Sequence, residues 1–160
     1  MAREPRQKSE YEQKLIDLRR VARVMAGGRR FTFRAAVVLG NRKGDVGFGL
    51  GKAMDTSQSI EKAVRQARKT LISVILTKDQ SIPHEVRAKF GSARVILKPA
   101  KLGRGLAAGG AVRTVLALAG VKNASAKILS HTKNKLTNAR AALEALKLLK
   151  EKDKQKNASS

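Results

Sequence analysis

Apolar side chains fall on every second residue from Phe31 to Leu39 (Phe31, Phe33, Ala35, Val37, Leu39), which predicts a strand with one buried face. After a polar turn, "GNRKGD", the alternation resumes in "VGFGLGK", with Val46, Phe48 and Leu50 on one side and Gly47, Gly49 and Gly51 on the other. The two runs read as a hairpin. A bare glycine face inside a strand signals the close approach of another backbone or of a ligand. At Asp55, followed three residues later by Gln58, the period changes. Ile60, Ala63, Val64, Ala67, Leu71 and Ile75 then make the apolar line of a long helix. The earlier stretch "YEQKLIDLRRVARVM" fits both periods, because Leu15, Leu18, Val21 and Met25 share a helical face while Ile16 and Leu18 also suit a strand.

The Ile82-Pro83 step marks a domain boundary near residue 80. Two short alternating runs follow, ending in "ARVILKPA". A glycine-rich turn then feeds an Ala-Val-Leu helix that stops at Gly120. Residues 121–129 return as a strand, and 136–150 form a second helix with Leu136, Ala139, Leu143, Leu146 and Leu149 inward. The pattern predicts a flexible N-terminal tail (1–10), a first domain (11–80), a second domain (81–150) and a flexible basic C-terminal tail (151–160), with no internal repeat.

Charge changes this picture most. The 160 residues hold 35 Lys and Arg against 12 Asp and Glu, a formal net charge of +23. Residues 1–80 carry +10 of it and 81–160 carry +13, so the basicity belongs to both domains. Such a field attracts polyanions, nucleic acid before an anionic membrane surface. No apolar run approaches the roughly 18 residues of a membrane span, and no secretory signal is visible. Only five aromatic residues are present, Tyr11, Phe31, Phe33, Phe48 and Phe90, which argues against base stacking on an aromatic platform and for phosphate and shape recognition.

The glycine strand is not a nucleotide loop. Val46 and Ala53 stand where the Walker pattern needs a glycine and a Ser or Thr, and Lys52 replaces the third glycine of the dinucleotide pattern. "GRGLAAGG" is superficially a kinase-like phosphate loop. Yet no Asp or Glu occurs from Val86 through Leu143, a span with twelve Lys and Arg, so no local carboxylate is available for Mg²⁺ or base catalysis. Cysteine is absent, which removes disulfides and thiolate metal sites, and His84 and His131 lack ligand spacing. No enzyme, metal or cofactor is expected. On the helix from Asp55, Lys62, Arg65, Arg68 and Lys69 line one side, either as a binding face or as a solvated one.

Three blocks, "GGRRFTFRAAVVLGNRKGDVGFGLGKA", "IPHEVRAKFGSARVILKPA" and "AAGGAVRTVLALAGVKN", resemble the bacterial small-subunit ribosomal protein five family, in order, from about Tyr11 to Leu146. The resemblance implies an α+β protein of two small domains: an N-terminal β-β-β-α domain of the double-stranded-RNA-binding type and a C-terminal left-handed βαβ domain. It also implies that residues 14–25 are the first strand. The implied function is structural, in the small ribosomal subunit: binding ribosomal RNA, assembly, body-head organisation, messenger entry and translational accuracy, without catalysis. Implied partners are ribosomal RNA, proteins four and eight of the subunit and messenger RNA at the entry tunnel, on cytoplasmic ribosomes.

The family loop tied to decoding and to spectinomycin corresponds to Val24–Arg30, with Gly27, Gly28 and Arg29 matching and Ala26 where a lysine is common. Ribosomal RNA contacts are expected there and at Arg19, Arg20, Arg23, Arg30 and Arg34. Arg42, Lys43 and Lys52 flank the glycine face, at which Gly47, Gly49 and Gly51 are expected to meet RNA, with tight packing of the following helix as the alternative and the two not exclusive. Lys62, Arg65 and Lys69 extend the set. In the second domain it comprises Lys101 and Arg104 of "KLGRG", which replaces an uncharged turn of the family, Arg113, and Asn134 of "TKNKLTNAR", where Lys135 and Thr137 depart from the family motif.

Overall fold

The computed structural model describes residues 10–149. The expected tails lie outside that range apart from Glu10. The chain opens with β1 (Glu12–Met25) and β2 (Gly28–Gly40), an antiparallel pair running from Glu12 opposite Gly40 to Met25 opposite Gly28. The segment that fitted two periods is therefore a strand. Its blurred alternation has a cause: the register shifts between Leu15 and Asp17, so Ile16 is an extra residue that moves the following side chains to the other face.

β3 (Asp45–Ala53) pairs with β2, and α1 (Thr56–Lys69) and β4 (Ile72–Ser73) complete the first unit, with strand order β1-β2-β3-β4. Asp55 caps α1 by accepting from the Thr56 N–H at 2.7 Å. The helix is shorter than its apolar line predicted, since Leu71 and Ile75 lie beyond its end at Thr70. The second unit contains β5 (Val86–Phe90), β6 (Ala93–Pro99), β7 (Leu106–Ala107), α2 (Gly110–Ala119), β8 (Ala124–Ile128) and α3 (Lys135–Lys147). Its sheet runs β5-β6-β8-β7, antiparallel except for β7 and β8, which are parallel and joined through α2. As expected, α2 ends on Gly120, at φ 91°.

The glycine face of β3 meets α1. A Cβ on Gly47, Gly49 or Gly51 would overlap the carbonyl oxygens of Ala67, Ala63 and Ser59 respectively. All three glycines and those three helix residues are buried. The expectation that these glycines touch RNA is therefore corrected: the helix occupies their only open side, and the tight-packing alternative holds. Thr70 seals the helix end by donating from Oγ1 to the Phe48 carbonyl at 2.8 Å.

The half-buried reading of β2 is also corrected, because Ala35 to Gly40 are buried on both faces. Ala35 and Val37 pack with Ala63 under α1, while Ala36 and Val38 join a core shared with Val115, Leu116 and Leu118 of α2 and Leu143 and Leu146 of α3. One apolar core thus runs from the first sheet into the second unit. The junction is tight enough to require bare backbone twice. A Cβ on Gly40 would strike the Leu118 carbonyl, and one on Gly120 the Arg42 carbonyl, while the Arg42 N–H donates to Leu118 O at 2.9 Å. A cavity of about 400 Å³ lies between β3, β5 and α3, lined by Phe48, Phe90 and Arg140, whose guanidinium sits 5.4 Å from the Phe48 ring and 5.3 Å from the Phe90 ring. The linker near residue 80 is held as well, with Asn123 Nδ2 donating to Asp79 O at 2.9 Å.

Candidate nucleic-acid interface

β1 and β2 pair all the way to Met25 and Gly28, and from Val24 to Phe31 every residue is exposed, so their distal half forms an arm. Antiparallel pairing places directly opposed residues on one face. Arg19 lies opposite Arg34, and Arg34 lies opposite Lys52 of β3, which makes a row of three cations across three strands. Arg23 opposite Arg30 makes a second row on the same face, nearer the tip. Like charges directly opposed destabilise a sheet. Only Asp17, bonded to Arg19 Nε at 2.8 Å, offsets this row among the described residues. Five cations held in register on one face give this surface a strong positive field.

Arg20 and Arg29 lie on the reverse face, where the Arg20 guanidinium stacks 4.5 Å from the Phe31 ring centre. At the tip, Gly28 has φ 138° and a Cβ on either Gly27 or Gly28 would meet nothing within 4 Å. At both glycines the Cβ side of the backbone is open to a neighbour.

The remaining expected residues are distributed elsewhere. Arg42 and Lys43 occupy the β2–β3 turn, at the opposite end of β2 from the tip. Arg42 is not a free cation: its Nε and Nη2 hold the Glu12 carboxylate at 2.7 and 2.9 Å. Lys62, Arg65 and Lys69 are exposed on the outer side of α1, and Lys62 Nζ donates to the Lys52 backbone carbonyl at 3.5 Å; the Lys52 side chain, alternating with the glycines, lies on the face of β3 away from α1. Lys101 and Arg104 share the turn before β7, joined by a backbone bond from Arg104 N to Lys101 O at 3.2 Å, and Arg113 is exposed on α2. Asn134 is the N-cap of α3, where its Oδ1 accepts from the Leu136 N–H at 3.1 Å. His84 is half-buried and His131 exposed. No group of three or more metal-ligating side chains occurs among the described residues, and no helix among them is long and apolar enough to cross a membrane.

Sequence reasoning found the arginines of the arm but not their register, which needs the bulge at Ile16. It missed the Phe48–Arg140–Phe90 stack, which brings residues from three elements together and leaves no local signal.

The fold and this surface define a two-domain α+β protein with a strongly basic two-stranded arm. Residues 11–75 match the family model for the N-terminal domain of ribosomal protein S5, and residues 88–159 match the model for its C-terminal domain. The chain is 51% identical to small ribosomal subunit protein uS5 of Synechococcus elongatus over 142 residues, covering 89% of this chain and 78% of the relative. It is 48% identical to protein uS5c of Rhodomonas salina over 142 residues (89% and 84%), and 47% identical to uS5 of Thermosynechococcus vestitus over 148 residues (92% and 84%). The chain belongs to the ribosomal protein uS5 family. It is a structural constituent of the small ribosomal subunit and not an enzyme.

Proposed function

We propose that the arm formed by β1 and β2 is the principal ribosomal RNA contact, with the Arg19–Arg34–Lys52 row laid along phosphates and the Gly27–Gly28 tip in close approach to RNA. The observation that carries this reading is the opposed cations, whose mutual repulsion bound anions would relieve. A-form RNA hides its major groove from side chains, so cations at fixed spacing and bare backbone suit its phosphates and 2′-hydroxyls. Contacts with proteins four and eight of the subunit and with messenger RNA at the entry tunnel belong to the same proposal. So do roles in assembly, body-head organisation and translational accuracy, and all of these rest on family membership. The compartment is one that carries ribosomes, the cytoplasm or a plastid.

The test is the triple variant R19Q/R34Q/K52Q. The apolar core is untouched, and the repulsion relieved at Arg34 and Lys52 is set against the loss of the Arg19–Asp17 pair, so the variant stays folded with a Tm within a few degrees of wild type. Affinity for a small-subunit RNA fragment falls, and the slope of log K against log salt drops by about 2, at roughly 0.7 to 0.9 per phosphate contact. Wild-type affinity in the variant would defeat the proposal.

A further inference from the structure

The second sheet has one face against α2 and α3 and one face bare. In register, Arg87 lies opposite Ile96 and Ile96 opposite Lys127, while Lys89 lies opposite Arg94. These side chains, with that of Lys98, point away from the helices, because the alternate positions Val86, Val95 and Leu97 are buried in the core. All five cations are exposed. Ile96, central on this outer face, is only 6% exposed, as expected if the aliphatic stems of its cationic neighbours lie over it and leave their heads outward. Among the described residues the one carboxylate bridged to them is Glu85, at 3.3 Å from Arg87 and 3.4 Å from Lys98, on one margin. Lys89, Arg94 and Lys127 form no salt bridge among the described residues, and a shallow groove of about 310 Å³ runs beside Arg87, Lys89 and Arg94. None of these five was among the residues expected to bind RNA.

We infer that this bare sheet face is a second RNA-binding surface, which takes the phosphate backbone of an RNA double helix. Charge selects an anionic partner, and the lack of any aromatic side chain on the face excludes base stacking as its mode. Paired strands set the cations at two fixed spacings, about 5 Å across strands and about 7 Å along them, which suits a rigid array of phosphates better than a flexible acidic segment. The inference rests on the reading of this chain as an RNA-binding protein but not on the arm.

The experiment uses the full chain and two variants: R87Q/K89Q/R94Q/K127Q for the face, and R19Q/R34Q/K52Q for the arm. Binding of each to a fluorescent RNA duplex and to polyglutamate is titrated against potassium chloride. In parallel, acetylation of Lys89 and Lys127 is followed by mass spectrometry in purified small subunits, before and after ribonuclease. The face variant, altered only at exposed positions, keeps its Tm. Its salt slope for the duplex drops by about 3, and Lys89 and Lys127 are protected until the RNA is digested. A wild-type slope in the face variant, with a reduced slope in the arm variant, overturns this inference and leaves the arm reading standing. The reverse result overturns the arm reading alone. Protection that survives ribonuclease, or an equal loss of polyglutamate binding, assigns the face to an acidic protein and overturns the inference.

Discussion

Gly49 and Gly28 are the same residue type in neighbouring strands of one sheet, and they serve opposite needs. Gly49 has ordinary strand torsions and no space: a Cβ there overlaps the Ala63 carbonyl and comes within 2.5 Å of the Ala67 nitrogen. Gly28 has open space where a Cβ would stand and a torsion, φ 138°, that side chains rarely adopt. One glycine lets a helix lie on a strand; the other turns a hairpin and exposes its backbone. In a sequence both read as "glycine where something comes close". The next element in the chain tells them apart: a strand glycine two or more positions deep in an alternation, with a helix directly downstream, has that helix as its first candidate neighbour.

The sharpest way to break the comparison is Gly49→Ala. Its methyl collides with helix backbone, which cannot rotate away as a side chain would, so α1 must shift as a body. A loss of about 3 kcal/mol is expected, equivalent to roughly 10 °C in Tm for a protein of this size. Thermal denaturation followed by circular dichroism measures it. A Tm within error of wild type would mean that α1 does not pack on β3 as described.

Gly28→Asp comes next. The positive φ costs about 1 kcal/mol, so the protein folds, but a carboxylate now stands at the tip of the cationic arm proposed to meet RNA. In cells carrying only this copy, stop-codon readthrough and spectinomycin response both shift while small-subunit levels stay normal. Unchanged readthrough and drug response would make the tip a plain connector.

The smallest effect belongs to Gly27→Ala, at the adjacent position. Gly27 has neither positive φ nor any neighbour within 4 Å, so its stability change stays within about 0.5 kcal/mol. A larger loss by chemical denaturation would show that the tip is more crowded than its geometry indicates.

Much of the fold was legible because local chemistry decided it. Asp55 and Gly120 bracket their helices by capping, and the "GNRKGD" turn separates two plainly alternating runs. The first strand was not legible from period alone, since one bulged residue, Ile16, breaks the alternation that would reveal it. The depth of β2 was hidden for a different reason: burial of Ala36 and Val38 depends on helices more than seventy residues later in the chain. For the interface, residue type exposed the cations and register did not. The row of Arg19, Arg34 and Lys52 exists only once three strands are aligned. The basic face of the second sheet did carry a signal: Arg87 and Lys89 alternate in "VRAKF", and Arg94 and Lys98 share a face of "ARVILKP" with Ile96 between them.

The paired glycines Gly40 and Gly120 have a mechanical consequence. They seat the inner end of β2 against the end of α2, backbone on backbone, with the Arg42 to Leu118 hydrogen bond across the seam. β2 has 13 residues, hence a length of about 40 Å at roughly 3.3 Å per residue. It is therefore a strut with its foot clamped in the second unit and its free end at the arm. The exposed tip is thus joined by one continuous strand to the core that α2 and α3 share with β2.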